Sequence, residues 1–187
     1  MSSSENLKSI SIKFFKGQLI TSNLGENFNQ LFLHHKAVEE LLISFGKGST
    51  ELLNSTLIFS NIEGLSQLQH LSLNFAATDQ FKGINCDIVI SILAAVLKCP
   101  KLLKLHLNLK GNQLTTEDFQ DITKTIQSSN SLQHLFLNFK NNSIKFPNEI
   151  ICPLPKNLKE LNLNLGNNLA KLGHSAKEFC KILDSCS

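Results

Sequence analysis

Three histidines, His70, His106 and His134, carry the donor atoms that a zinc ion takes, and five cysteines, Cys86, Cys99, Cys152, Cys180 and Cys186, add thiols that could ligate or attack. The cysteines are an odd set without a Cys-x-x-Cys pair, and no histidine or acid stands at a spacing that would activate Cys99. They read as reduced thiols of an intracellular protein. His34 and His35 close an apolar-periodic segment, where they are solvated or cap helix carbonyls. The sequence has no glycine-rich phosphate loop and no His-Arg-Asp motif. The net charge of +3 comes from lysine alone, 18 against 15 acidic residues, with no Arg, Trp or Tyr. Arg supplies the fork for phosphates and guanine, and Tyr and Trp supply stacking surfaces, so nucleic-acid binding and an arginine-finger role are both disfavoured. The chain is not expected to be an enzyme or to hold a cofactor.

What positions these residues is a recurring apolar pattern, Leu-x-x-Leu-x-Leu-x-Phe/Leu. It is plain at Leu68, Leu71, Leu73, Phe75; at Leu102, Leu105, Leu107, Leu109; at Leu132, Leu135, Leu137, Phe139; and at Leu158, Leu161, Leu163, Leu165. Fainter copies are Leu7, Ile10, Ile12, Phe14 and Val38, Leu41, Ile43, Phe45, so successive copies start 31, 30, 34, 30 and 26 residues apart. Within each copy the period of two is that of a half-buried strand. One such unit cannot bury its own apolar face and must stack on neighbours. The expectation is an α/β fold, one domain over residues 1–187, with six parallel strands near 7–14, 38–45, 68–75, 102–109, 132–139 and 158–165.

In that register His70 and His134 stand two strands apart, about 9.6 Å, with Lys104 between them, whereas zinc holds imidazole nitrogen at about 2.1 Å. No metal site is expected. No apolar run approaches the roughly 20 residues of a membrane helix, and the start Met-Ser-Ser-Ser-Glu lacks a basic segment followed by an apolar one. The expected setting is soluble and cytoplasmic, with no membrane partner.

Parallel neighbours need return segments. Residues 24–35 carry Phe28, Leu31 and Phe32 at helical spacing, and 51–59 carry Leu52, Leu53, Leu57 and Ile58. Residues 84–98 are apolar on nearly every side, and a cap at Thr115 or Thr116 opens a helix through Phe119, Ile122 and Ile126. Pro147, Pro153 and Pro155 leave room only for an extended or 3₁₀ crossing, and residues 175–184 predict a last short helix.

Copy four runs Leu105-His106-Leu107-Asn108-Leu109-Lys110-Gly111-Asn112, and copies five and six place Asn142 and Asn168 where Asn112 stands, while Gly17, Gly48 and Thr78 occupy that position earlier. This resembles the leucine-rich repeat family, over residues 7–187, in its ribonuclease-inhibitor-like class. The Asn-rich Leu-Asn-Leu pattern is similar to repeat arrays of ciliate proteins, without their kinase domain. The resemblance implies a solenoid of about six repeats with a curved sheet on the concave side and helices on the convex side. It also implies an inward Asn ladder bonded to the backbone of the turns, a buried thiol at Cys99 after a helix, and a cytoskeletal, ciliary or axonemal setting.

With leucines inward, the concave face reads Ser9, Glu40, His70, Lys104, His134, Glu160 in one column and Ser11, Leu42, Ser72, His106, Phe136, Asn162 in the next. The third column is Lys13, Ser44, Asn74, Asn108, Asn138, Asn164, whose amides form either a recognition strip or, the favoured reading, a self-bonded ladder at about 4.8 Å. Phe136, flanked by His106, His134 and Lys140, is an exposed aromatic beside polar groups, the make-up of an interface anchor. Concave-face partner candidates are therefore His70, Lys104, His106, His134, Phe136 and Lys140. Phe81, at a loop tip, and Ile90 and Leu97, on the apolar helix, are loop and convex candidates, the latter two open to wedging between helices or to a docked partner. The end strands are either covered by a partner or blunted by Lys8 and Lys13. These surfaces point to a protein partner and to a non-catalytic scaffold subunit of a hetero-oligomeric assembly. The alternative is a reversible regulator or inhibitor of a soluble enzyme or GTPase acting through the concave face.

Overall fold

Alternation of apolar and polar side chains yields six strands, β1 (Ser9–Phe14), β2 (Glu40–Phe45), β3 (His70–Asn74), β4 (Lys104–Asn108), β5 (His134–Asn138) and β6 (Glu160–Asn164). The computed structural model describes residues 7–14, 23–45, 59, 61–77, 84–145 and 154–168. The strands form one sheet in the order β1-β2-β3-β4-β5-β6, every neighbouring pair parallel. The register is the one the repeat imposes: Leu73 pairs with Leu107, Leu107 with Leu137, and Leu137 with Leu163. The fold is thus mixed α/β around a six-stranded parallel sheet.

Three α-helices lie among the described residues, α1 (Asn23–His34), α2 (Cys86–Val96) and α3 (Thr116–Gln127). Their buried residues, including Phe28 and Phe32 on α1, Val89 and Leu93 on α2, and Phe119 and Ile122 on α3, join the strand leucines in one core. The helices therefore cover the leucine side of the sheet, and the alternate strand positions form its other face. Leu105, Leu107, Leu135 and Leu137 are each at most 2% exposed, while at β6 Leu161, Leu163 and Leu165 are only half-buried. Phe45 stacks between Phe14 at 5.2 Å and Phe75 at 4.8 Å, a continuous aromatic column that replaces leucine where the first strands end.

Helix starts follow local chemistry. Asn85 caps α2 by accepting the Asp87 amide at 2.7 Å. Thr115 caps α3 in a capping box, its hydroxyl accepting the Asp118 amide while the Asp118 carboxylate accepts the Thr115 amide at 2.7 Å. A 3₁₀ turn at Ile62–Gly64, which periodicity does not reveal, precedes β3. The helical return expected over 51–59 falls, except for Phe59, outside the described residues. So do Pro147, Pro153 and the last helix expected over 175–184.

The turns after β4, β5 and β6 begin alike, though the first adds a second left-handed residue, Gln113 at φ 60°. Gly111, Asn141 and Asn167 occupy equivalent places at φ of 75°, 59° and 56°, a left-handed conformation open to Gly and tolerated by Asn. The next residue turns inward. Asn112 accepts the Ile84 amide at 2.7 Å and donates to the Phe75 carbonyl at 3.1 Å. Asn142 accepts from Leu114 at 3.0 Å and donates to Leu109 and Phe139, and Asn168 accepts from Ile144 and donates to Phe139 and Leu165. Each amide satisfies backbone groups that the buried turn would otherwise leave unpaired. Gly17, Gly48 and Thr78, the earlier positions of this column, lie outside the described residues.

Candidate functional site

Residues alternating with the buried leucines build the face of the sheet opposite the helices. At its centre the His106 and Phe136 rings meet, 4.1 Å between centroids and tilted by 47°, because β4 and β5 place them as register partners. The Lys104 ammonium sits 4.9 Å from the centroid of the Phe136 ring, at cation–π distance. Phe136 is therefore half-buried rather than exposed: its two neighbours on β4 pack on the ring.

Burial lowers the pKa of His106, and the positive charges of Lys104 and His70 act in the same direction against a smaller opposing pull from Glu160. The imidazole is held neutral at pH 7. Its Nε2 is buried with no hydrogen-bond partner among the described residues. His134 engages Glu160 instead, Nδ1 to Oε2 at 3.0 Å, and Glu40 at the other side of the face accepts from the Ser9 hydroxyl at 2.8 Å.

A shallow groove of about 370 Å³ runs across β3 to β6, with His106 and Phe136 on its floor and Asn74, Asn108, Asn138 and Asn164 along one side. These amides do not bond to one another as expected. The side-chain oxygens of Asn74, Asn108, Asn138 and Asn164 accept the amides of Ala76, Lys110, Lys140 and Gly166, two residues on, at 3.1, 3.2, 3.1 and 3.0 Å. The strand ends at these residues, so the nearest unpaired donor is the turn's own N–H, and this local bond takes the amide oxygen that an Asn-to-Asn bond would use. A second hollow, about 160 Å³, lies between Glu40, Leu42, His70 and Lys104.

The structure thus brings Lys104, His106 and Phe136 into contact, with His134 beside Glu160. His70 is exposed at the edge of the second hollow, and Lys140 is half-buried at the turn following Asn138. Among the described residues no group of three or more His, Cys, Asp or Glu is placed to hold a metal. On the helix side Ile90 and Leu97 are half-buried and pack against the core. Leu33 on α1, at 46% exposure, is the larger apolar surface there and was not singled out by periodicity. Phe81 lies outside the described residues.

The buried thiols are poorly nucleophilic. Burial, with the adjacent Asp118, pushes Cys86 up to about 12, and burial, with Glu63, pushes Cys99 up to about 12. Their Sγ atoms lie against the Asp118 and Ile62 carbonyls at 3.7 and 3.5 Å. Lys8 is spent on an ion pair with Glu39, the residue before β2. His34 is exposed, as expected, but His35 buries Nδ1 without a partner among the described residues. The turn role of the Asn74 column was legible in principle, since Asn before a turn bonds two residues ahead. Among the described residues no helix is long and apolar enough to cross a membrane. No protein-family model matches the chain, and no curated protein matches it.

Proposed function

We propose that this chain is a leucine-rich repeat solenoid of the ribonuclease-inhibitor-like class, and that it serves as a non-catalytic interaction subunit of a larger cytoplasmic assembly. The partner is a protein, and it docks on the sheet face opposite the helices. The observation that carries this reading is the Phe136 cluster: an aromatic ring held by His106 and Lys104 at the centre of a groove, with polar residues around it. Half-buried aromatics ringed by polar groups are what interface anchors consist of. The strands already hold these side chains in place, so little ordering entropy is lost on association. The in-register repeats and the inward Asn112, Asn142 and Asn168 support the family assignment. The cytoskeletal or ciliary setting rests on the resemblance of the Asn-rich repeats to ciliate arrays.

The test is quantitative affinity capture from the source cell with the full chain and two variants. Phe136→Asp should abolish capture of the partner that Leu33→Asp, on the helix side, leaves intact. Loss with Leu33→Asp and retention with Phe136→Asp would move the contact to the helices and overturn the proposal.

A further inference from the structure

The Asn74 column leaves a second chemical consequence. Because a backbone N–H can only donate, the amide oxygens of Asn108, Asn138 and Asn164 must face Lys110, Lys140 and Gly166. Their NH2 groups point the other way, and they donate to no partner among the described residues. Asn74 differs only in giving its NH2 to the Ser44 hydroxyl at 3.2 Å. Three donors thus line one side of the groove at the strand spacing of about 4.8 Å.

The charges agree with the donors. Lys104 stands on β4, and Lys110 and Lys140 follow the Asn residues of β4 and β5 at the turns. The acids of this face, Glu40 and Glu160, lie on the flanking strands and are engaged by Ser9 and His134. Among the described residues, the centre of the face from β3 to β5 is therefore rich in donors and positive charge and holds no carboxylate, and the one on β6, Glu160, is paired with His134.

Resting on the docking face put forward above, we infer that the partner presents an extended acidic peptide segment across β4 to β6. Its carbonyl and carboxylate oxygens accept from the Asn108, Asn138 and Asn164 amides, its acidic side chains reach Lys104, Lys110 and Lys140, and an apolar residue rests on Phe136. A donor row fits any acceptor-rich chain, but the groove also presents the Phe136 ring, which suits a peptide with an apolar side chain among its acids better than a bare polyanion.

The experiment selects random displayed dodecapeptides on the full chain, then measures the winners by fluorescence anisotropy. The selected pool should be enriched in Asp and Glu over the input. Its binding should weaken about tenfold or more in the double variant Asn108→Asp/Asn138→Asp, which keeps the oxygen that each turn needs and replaces each donor by a carboxylate that repels an acidic chain. Thermal unfolding of the double variant should remain close to that of the parent, so that a loss of binding is not a loss of fold. Peptides that lose binding with Phe136→Ala yet show no acidic enrichment would overturn the acidic-partner inference and leave the docking face standing. Peptides indifferent to Phe136→Ala would overturn both. Equal, Asn-dependent binding of a heparin fragment or a single-stranded oligonucleotide would replace the peptide by a general polyanion.

Discussion

The rings of His106 and Phe136 lie 4.1 Å apart on adjacent strands, so the aromatic residue that marks the open face also dries the imidazole beside it. Proton uptake by His106 then costs burial energy and repulsion from Lys104 and His70, offset only in part by Glu160.

This coupling sets a pH dependence. The unfolded chain protonates His106 near the ordinary value of about 6.5, while the folded chain does so only at lower pH. The unfolded state binds more protons in between, so the contribution of neutral His106 is complete above pH ~6.5 and is lost as pH falls through the folded pKa. Proton-detected titration of the imidazole should place His106 below the free value, and Phe136→Ala should raise it. An unshifted titration in the parent chain would refute the packing described here.

Asn142 should be far more sensitive than its neighbour Asn138. Asn142→Leu leaves the buried Leu114 amide and the Leu109 and Phe139 carbonyls without their partner, a loss of about 3 kcal/mol or more. Asn138→Asp retains the bond to Lys140 and should cost less than about 1 kcal/mol. Urea unfolding midpoints of the two variants test the contrast, and equal effects would contradict the inward placement of Asn142.

At the left-handed turn position, Gly111 stands at φ 75° with a built Cβ 3.4 Å from that of Ala77. Gly111→Val should destabilise by about 2 kcal/mol, whereas Gly111→Asn should be the milder change, since Asn141 and Asn167 hold the same conformation. Thermal melts that rank Asn below Val would show that the backbone is not constrained there.

Cys86 and Cys99 should resist thiol reagents in the folded chain at pH 8, because both are buried and pushed up to about 12. Mass mapping after brief alkylation should find them unmodified without denaturant and modified with it. Rapid modification of either under native conditions would place it outside the core.

Strand positions, order and inward columns were readable from Leu68, Leu102 and their counterparts because a period of two, repeated at near-constant intervals, leaves one consistent way to bury the leucines. The Thr115 start of α3 was readable for a similar reason, since a capping box depends on residues only three apart. The Asn74 column departs from the self-bonded ladder that register suggests. Register places Asn108 opposite Asn138, but which bond each amide makes depends on the turn that follows, where Lys110 and Lys140 offer closer donors.

By itself, then, the chain's apolar spacing determined a parallel sheet, its register and the identity of the residues on each face, because these follow from covalent periodicity and the need to bury leucine. Tertiary structure alone decided that Lys104 and His106 pack on Phe136, that His134 is taken by Glu160, and that Asn108, Asn138 and Asn164 turn their oxygens to the following turns and give their NH2 groups to no partner among the described residues. Those outcomes rest on competition among neighbours within a few ångströms, and residue spacing along the chain carries no record of which neighbour wins.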